Sequence, residues 1–256
     1  MRISWLRVYV ILILILLFVP VLLIVIASFN NNQLTLLPML PTLRWYKEVM
    51  SNRLYISGFR NSTIVAVFAS LFAGILGTLA AYGINRYNPP GKQIVLGLLT
   101  VPILIPGLVL GIALLSYFTF LGIRLSLLTV ILAHIVFSTP YVLLIMNARF
   151  HNFDWALEEA ARDLGANAYQ RFSKVLFPLI RPSIIGSMLL VFAISFDEFV
   201  VTYFVIGPGS TMPMIIWSML KRMVSPALNA ISTILLLISL AMLFLAIKVF
   251  RIKFEL

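Results

Sequence analysis

Six long apolar runs, separated by shorter polar segments, dominate the pattern of this chain. An α-helix needs about 20 apolar residues to cross the hydrocarbon core of a bilayer, and each run is about that long. Lipid cannot hydrogen-bond backbone N–H and C=O groups, so such runs predict helices. The runs lie at about 8–27, 62–84, 94–118, 126–146, 184–206 and 230–250. They predict an all-α, polytopic membrane protein with six transmembrane helices, forming a single transmembrane domain over 1–256.

The first run follows Arg2 and Arg7 and is longer than the apolar core of a typical signal peptide. It also ends without a clear small-residue cleavage site. We therefore expect an uncleaved first span. In the segment that follows it, Trp45 and Tyr46 are flanked by charged residues and predict a short interfacial helix, since amphipathic rings favour the headgroup level. Small residues such as Ala73 in the second run predict close helix contact.

The third run contains Pro102 and Pro106, and the fourth contains His134. Proline has no backbone N–H, so two prolines four residues apart free carbonyl groups that need partners or a wet cavity. The pattern fits either a broken helix beside a substrate route or a simple kink. A histidine inside a membrane either faces such a route or hydrogen-bonds a neighbouring helix. The sequence leaves both pairs of alternatives open.

Asp197 and Glu198 lie inside the fifth run. One carboxylate at the bilayer centre costs roughly 2.5–3.5 kcal/mol on insertion scales, so two are not expected to face lipid. Ser195, Glu198 and Thr202 are spaced i, i+3 and i+7, which puts them on one face of a helix. This stripe predicts a surface facing the bundle interior or a partner subunit. It is either part of a substrate path or a structural set of interhelical hydrogen bonds or ion pairs.

The longest polar island between runs covers about 152–182. Asp154 is placed to cap a short helix by accepting backbone N–H groups. Gly165 is placed to end that helix in the left-handed conformation. Asn167 and Gln170 then have the spacing of a capping box for a second helix. The island therefore predicts two helices joined by a tight glycine turn.

Within the first helix of this island, apolar residues recur at helical spacing and predict one apolar stripe. Glu158 precedes Arg162 by four residues on the other face, a spacing that favours an ion pair. The stripe consists of Ala156, Leu157, Ala160, Ala161 and Leu164.

The island also carries a spaced motif, which runs through Glu159, Ala160, Ala161, Gly165, Val175, Phe177 and Pro178. It resembles the EAA loop of permease subunits in bacterial ATP-binding-cassette importers that work with a binding protein (type I, MetI-like). The family's usual ending is Ile-x-Leu-Pro, so Val175 and Phe177 depart from it but remain apolar. The resemblance implies that this loop is cytoplasmic and that its coupling helix docks into a groove of a separate ATPase. The alternative is an amphipathic hairpin resting on the bilayer.

A second set of residues is similar to the spermidine/putrescine branch of these permeases. The set comprises Asp197-Glu198-Phe199, Val201-Thr202, Gly207-Pro208, Ser225-Pro226 and Asn229-Ala230. The resemblance implies import of a polyamine. The expected substrate-path residues are Asp197 as first choice and Glu198 as second choice, together with Ser195 and Thr202. Related permeases for ferric iron, thiamine or organophosphonates share much of this segment, so these solutes are the alternatives.

Composition and charge narrow the function further. Hydrophobic residues make up 62% of the 256 residues, and the net charge is +11. The basic residues lie mostly between the runs, which is typical of topology signals and does not indicate nucleic-acid binding. With both termini in the cytoplasm, twelve of the 19 Lys and Arg residues fall inside and seven outside. This bias predicts a multi-pass protein of the bacterial cytoplasmic (inner) membrane.

The sequence offers no catalytic or metal-binding constellation. It contains no cysteine and no glycine-rich phosphate loop, and its acidic and histidine residues lack metal spacing. We therefore expect no enzyme activity and no cofactor in this chain. The resemblance implies that ATP is used by two partner ATPase subunits, alongside a second homologous permease and an extracytoplasmic solute-binding protein. The competing hypothesis is an ion-coupled secondary transporter, although inverted repeats are not evident.

Overall fold

The computed structural model describes residues 5–32, 39–222 and 226–250. The regular secondary structure of these residues is helical, and an isolated bridge between Asn30 and Pro41 is their only β pairing. Ser225, Arg2, Arg251 and Lys253 of the sequence predictions lie outside the described residues. The helices are α1 (Trp5–Ser28), α2 (Arg44–Ser51), α3 (Arg53–Tyr87), α4 (Lys92–Leu104), α5 (Gly107–Phe120), α6 (Leu127–His151), α7 (Ala156–Asp163), α8 (Ala168–Gln170), a π-helical segment (Arg171–Leu176), α9 (Phe177–Asp197), α10 (Val200–Val205), α11 (Met212–Arg222) and α12 (Pro226–Phe250).

Several of these helices are long and apolar enough to cross a membrane. Within the described residues there are four such helices, or five if the bent pair α4–α5 forms one span. The four are Val8–Ser28, Arg53–Tyr87, Leu127–His151 and Ala168–Asp197. The apolar stretch Pro226–Met242 is shorter. The prediction of an all-α protein with several apolar helices is confirmed.

The predicted third span is two helices bent by 101° at Ile105 and Pro106. Pro106 has no N–H to continue the ladder of α4. A residue before proline is also driven out of the helical region, and Ile105 is extended at φ −77° and ψ 125°. Pro102, by contrast, lies inside α4 without ending it. The 94–118 run therefore contains a helix break.

The predicted fifth span, 184–206, also divides into two helices, α9 and α10. The break falls at Glu198, whose backbone is extended at φ −71° and ψ 122°. No proline or glycine lies at this break. The side chain of Glu198 instead accepts hydrogen bonds from the backbone N–H groups of Val201 and Thr202, at 3.1 Å each. These bonds replace the helical partners that α10 lacks at its start.

The structure divides into two compact units. The first comprises 1–58 and 215–240. In it Trp45 of α2 is buried, with its indole N–H donating to the Asn30 carbonyl at 2.8 Å. The predicted short helix is therefore present, with Trp45 packed inside the unit, and its position at the headgroup level stays a prediction.

The second unit comprises 59–214 and 241–256. In it α6 packs against α4, α9 and α10, and α5 packs against α10. The small residues of α3 allow close contact as predicted: a Cβ at Gly77 would lie 2.6 Å from the Cβ of Val142 on α6. Buried residues such as Leu143 and Phe150 place much of the core around α6.

Candidate functional site

An open cavity of about 400 Å³ lies where the two helix breaks meet. One wall is the α4–α5 break and another is the α9–α10 break, with α6 between them. The lining residues are Pro102, Ile103, Leu104, Ile105, Pro106, Gly107, Leu110, Phe137, Tyr141, Ile194, Glu198 and Val201. The broken-helix alternative for Pro102 and Pro106 therefore fits this structure better than a simple kink.

Glu198 is the one charged residue that lines this cavity. Its side chain is only 16% exposed. Both carboxylate oxygens accept backbone N–H groups at the start of α10, so the helix dipole and two hydrogen bonds stabilise its negative charge. The break in the fifth run thus fixes a carboxylate at the cavity wall.

His134 ties the two halves of this break together from α6. Its Nδ1 lies 2.7 Å from Oγ of Ser195 on α9, and its Nε2 lies 2.9 Å from Oγ1 of Thr202 on α10. Nε2 is also 3.9 Å from a carboxylate oxygen of Glu198. The hydrogen-bonding alternative for His134 is therefore the one observed. The three residues that the sequence placed on one stripe, Ser195, Glu198 and Thr202, do converge, and they do so around this imidazole.

Another part of the cavity lining is the C-terminal end of α4, with Ile103, Leu104 and Ile105. No described residue donates a hydrogen bond to the carbonyls of Ile103, Leu104 or Ile105. The last carbonyls of a helix have no partner inside it and carry the negative end of the helix dipole. A carboxylate and the C-terminal end of a helix thus line one cavity, and both favour a positively charged neighbour over a negative one.

Asp197 is placed differently from its neighbour Glu198. Its side chain is exposed, does not line the cavity, and forms no hydrogen bond or ion pair within the described part of the chain. The sequence prediction put Asp197 first and Glu198 second, whereas the structure places only Glu198 at the cavity. Adjacency along the chain does not tell which of two carboxylates faces inward.

The polar loop between α6 and α9 folds locally as its sequence predicts. Asp154 Oδ1 accepts the N–H of Ala156 at 3.0 Å, and Gly165 adopts φ +82°, the left-handed conformation. Asn167 and Gln170 form the reciprocal capping box, with bonds of 2.9 and 3.0 Å. The first helix and the glycine turn are therefore present as predicted. The second helix does not end within the 152–182 island, because it continues through the π-helical segment into α9, which holds Pro182 in its interior.

Glu158 differs from its prediction. It is buried, and its carboxylate lies 3.1 Å from Nε of Arg86 on α3 and 3.4 Å from Nε of Arg171 in the π-helical segment. The predicted pair with Arg162 was wrong, because Glu158 points inward while Arg162 is exposed. Arg86 lies 72 positions away along the chain, so no local spacing could have identified this contact.

The apolar stripe of α7 points away from the rest of its unit. Leu157 is 46% exposed and Leu164 is 89% exposed. Most of the motif residues are also accessible. Exposed motif residues are Glu159, Ala160, Gly165, Phe177 and Pro178, and half-buried ones are Ala161 and Val175. The loop therefore presents an apolar surface that no described residue covers. No group of three or more His, Asp or Glu residues in the described ranges could hold a metal ion.

A family model described as "Binding-protein-dependent transport system inner membrane component" matches residues 73–253. The chain belongs to this family. The matched range contains the residues of the cavity, of both helix breaks and of the polar loop.

Two curated relatives extend the comparison over most of this permease. It is 37% identical to the spermidine/putrescine transport system permease protein PotC of Escherichia coli (strain K12), over 88% of this chain and 86% of that protein. It is 35% identical to the putrescine transport system permease protein PotI of the same strain, over 86% and 81%.

Solved structures share the fold of the permease. One is a bacterial alginate ABC transporter in complex with an alginate pentasaccharide-bound periplasmic protein, with a TM-score of 0.72 and 15% identity over 95% of this chain and 93% of that one. Another is the MetNI methionine ABC transporter in inward-facing conformations, with a TM-score of 0.65 and 17% identity over 77% and 95%. At such identities the likeness concerns the fold alone.

Proposed function

We propose that this permease is the membrane-spanning subunit of an ATP-driven importer of polyamines such as spermidine and putrescine. The observation that carries the proposal is the placement of Glu198 at a cavity between two broken helices, in a chain 37% identical to a spermidine/putrescine permease. A polyamine carries two or more positive charges, which must leave water during passage. A fixed carboxylate lowers that barrier, since opposite charges about 4 Å apart attract by about 4 kcal/mol at an effective dielectric constant near 20.

The substrate path is proposed to run past Glu198, with Ser195 and Thr202 orienting the carboxylate through His134. We propose that Asp197, which is exposed on this subunit, belongs to the same path. An unpaired carboxylate in lipid costs roughly 2.5–3.5 kcal/mol, which favours a position against a second permease subunit or the solute.

Six spans are proposed for the membrane topology, with α4–α5 as the broken third, α9–α10 as the broken fifth and α12 as the sixth. Both termini are placed in the cytoplasm. The supporting observation is the excess of Lys and Arg in the segments that this topology puts inside. It also puts the loop between α6 and α9 where ATP is available.

The loop is proposed to be the coupling element that docks on the ATPase. Its supporting observation is the uncovered apolar stripe of α7, including Leu157 and Leu164, beside the motif residues Glu159, Ala160, Ala161, Gly165, Val175, Phe177 and Pro178. The complete importer then comprises two ATPase subunits, this permease, a second homologous permease and an extracytoplasmic solute-binding protein. ATP is hydrolysed by the ATPase subunits, and this chain holds no cofactor.

The substrate-path proposal is tested by removing one charge at a time. Glu198→Gln and Asp197→Asn keep the shape of each side chain and remove its charge. We expect uptake of radiolabelled spermidine to fall by about tenfold in Glu198→Gln, the equivalent of about 1.4 kcal/mol, with basal ATPase activity retained. The measurement is uptake by the reconstituted complex, alongside the yield of intact complex for each variant.

Two results would contradict the path. Wild-type uptake in both variants removes the role of these carboxylates. Loss of assembly with a proportionate loss of uptake assigns them a structural role, since Glu198 also binds the N–H groups that begin α10.

The coupling proposal is tested at Gly165. Gly165→Asp adds a Cβ and a negative charge at a residue with φ +82°. Residues other than glycine are strained in this backbone conformation. Because a Cβ there would meet no atom within 4 Å, the change spares internal packing and affects the exposed turn. We expect an inserted protein in which the binding protein no longer stimulates ATP hydrolysis. Near-normal uptake by this variant would remove the coupling assignment.

A further inference from the structure

Arg86, in the last turn of α3, contacts three residues of the loop. Its Nε lies 3.1 Å from Oε2 of Glu158, and its Nη1 lies 3.7 Å from Oε1 of Glu159. The guanidinium carbon also lies over the indole of Trp155, 5.4 Å from the ring centroid. A planar guanidinium can stack on an aromatic face and bind carboxylates through its edge at the same time, which an ammonium cannot. One side chain thus joins the end of a long helix to the start of α7.

The carboxylate of Glu158, which pairs with Arg86, is buried. Glu158 lies between Arg86 and Arg171, and the side chains of the two arginines are only about one-quarter exposed. Arg171 in turn donates to the Ala166 carbonyl at 3.4 Å, next to the glycine turn. A buried charge that loses its partner is strongly unfavourable, so these contacts resist separation. They hold α3, α7 and the π-helical segment at fixed distances.

Aromatic rings pack around Trp155, the residue on which the Arg86 guanidinium stacks. Trp155 stacks on Phe150 of α6 with centroids 5.9 Å apart, and lies 6.0 Å from Tyr82 of α3 and 5.0 Å from Phe153. Tyr82 and Phe150 are themselves 5.9 Å apart, edge to face. Close-packed rings transmit displacement because they cannot be compressed. The inner face of α7 is therefore tied to two long helices, while its apolar stripe stays uncovered.

We propose that Arg86, Trp155, Glu158 and Arg171 form a clamp that transmits displacement of α7 to α3, with Arg86 as its positioning residue. This inference rests on the proposed coupling role of the loop. With the clamp intact, movement of a docked ATPase is carried into α3 as a rigid-body shift. Without it, α7 moves against the ends of α3 and α6, and ATP hydrolysis continues without solute import.

The test compares solute imported with ATP hydrolysed. The permease is purified with its ATPase subunits and second permease, reconstituted in proteoliposomes, and supplied with binding protein and radiolabelled spermidine. In Arg86→Gln we expect the ratio of spermidine imported to ATP hydrolysed to fall by about tenfold, with the yield of complex maintained. Arg86→Lys keeps the charge but loses the planar stacking, so an intermediate ratio is expected. Lys174→Gln is the matched control: it removes a charge from an exposed residue of the same loop that has no ion pair within the described ranges.

If Arg86→Gln lowers the yield of complex, a second variant separates an effect on stability from an effect on coupling. The double variant Arg86→Gln, Glu158→Gln removes the buried charge that the single variant leaves alone. We expect it to restore yield but not the import ratio. Recovery of both would show a role in stability only and would overturn the clamp, as would a wild-type ratio in Arg86→Gln. If Gly165→Asp also keeps the wild-type ratio, the coupling role of the loop itself fails, which distinguishes the two proposals.

Discussion

His134 is a residue whose role depends on its neighbours on two different helices. It is fully buried and meets the hydroxyls of Ser195 and Thr202 with its two ring nitrogens. A neutral imidazole has one donor and one acceptor, and hydroxyls can serve as partner to either. The ring therefore closes a network that keeps the α9–α10 break, and with it Glu198, in one geometry.

We expect His134→Ala to lower the thermal-unfolding midpoint of the purified complex and to reduce spermidine uptake. The buried hydroxyl of Ser195 loses its partner, and an unsatisfied buried group costs about 1–3 kcal/mol, whereas the Thr202 hydroxyl still donates to the Glu198 carbonyl at 3.1 Å. Thr139→Ala is the control on the same helix, because the Thr139 hydroxyl bonds only the Ile135 carbonyl of α6 itself. An unchanged midpoint in His134→Ala, equal to that of the control, would show that the network does not hold the break.

At the same scale, sequence reasoning identified the polar residues of the site but not their partners. Ser195, Glu198 and Thr202 follow from helical spacing, since all three lie within eight residues. The meeting with His134 depends on how α6 packs, and 61 residues separate His134 from Ser195. The predicted ion pair of Glu158 was wrong for the same reason. Its partner was expected four residues away in the sequence, but Arg86 lies on another helix.

At the scale of elements, the contact between α3 and α6 depends on the absence of a side chain at Gly77. A Cβ there would lie 2.6 Å from Cβ of Val142 and 2.9 Å from the backbone nitrogen of Leu143. The backbone cannot retreat, so the helices themselves must separate. Gly83, on the same helix, has no atom within 4 Å of the same position.

We therefore expect Gly77→Ala to destabilise the complex by about 1–3 kcal/mol, the usual range for overpacking. Gly83→Ala should be neutral or stabilising by up to about 1 kcal/mol, since alanine favours a helix over glycine. The measurement is the unfolding midpoint of both variants under identical detergent conditions. Equal midpoints would contradict the close packing of α3 on α6.

The two helix breaks differ in how far sequence could anticipate them. The break at Ile105 carries a chemical signal, since the proline that follows it removes a donor and restricts its backbone. The break at Glu198 has neither proline nor glycine, and the run that contains Asp197 and Glu198 is long enough to predict one unbroken span. It exists because a carboxylate takes the first N–H groups of α10, a choice that only the surrounding packing makes favourable.

For the whole molecule, the fold class follows from hydropathy alone, because apolar runs of this length have few other stable forms in lipid. The same apolar runs carry little information on which helices are neighbours, since every lipid-facing surface is equally apolar. The pairing of α5 with α10 is an example: it rests on Gly111, where a Cβ would lie 2.7 Å from the Phe204 ring. The sequence thus predicts where the helices lie along the chain and which of them carry polar residues. The packing of the helices determines where the cavity forms.

The π-helical segment Arg171–Leu176 has a consequence for engineering. The N–H of Phe177 bonds the carbonyl of Phe172, five residues back, so this turn holds one residue more than an α-helical turn. One residue corresponds to about 100° of rotation in a helix of 3.6 residues per turn. The loop on one side of the segment and α9 on the other are therefore set at an azimuth that an unbroken α-helix would not give. A chimaera in which this loop replaces that of another permease must therefore include all six residues of the π-helical segment. Without them, the exposed apolar stripe of α7 will be rotated away from the ATPase.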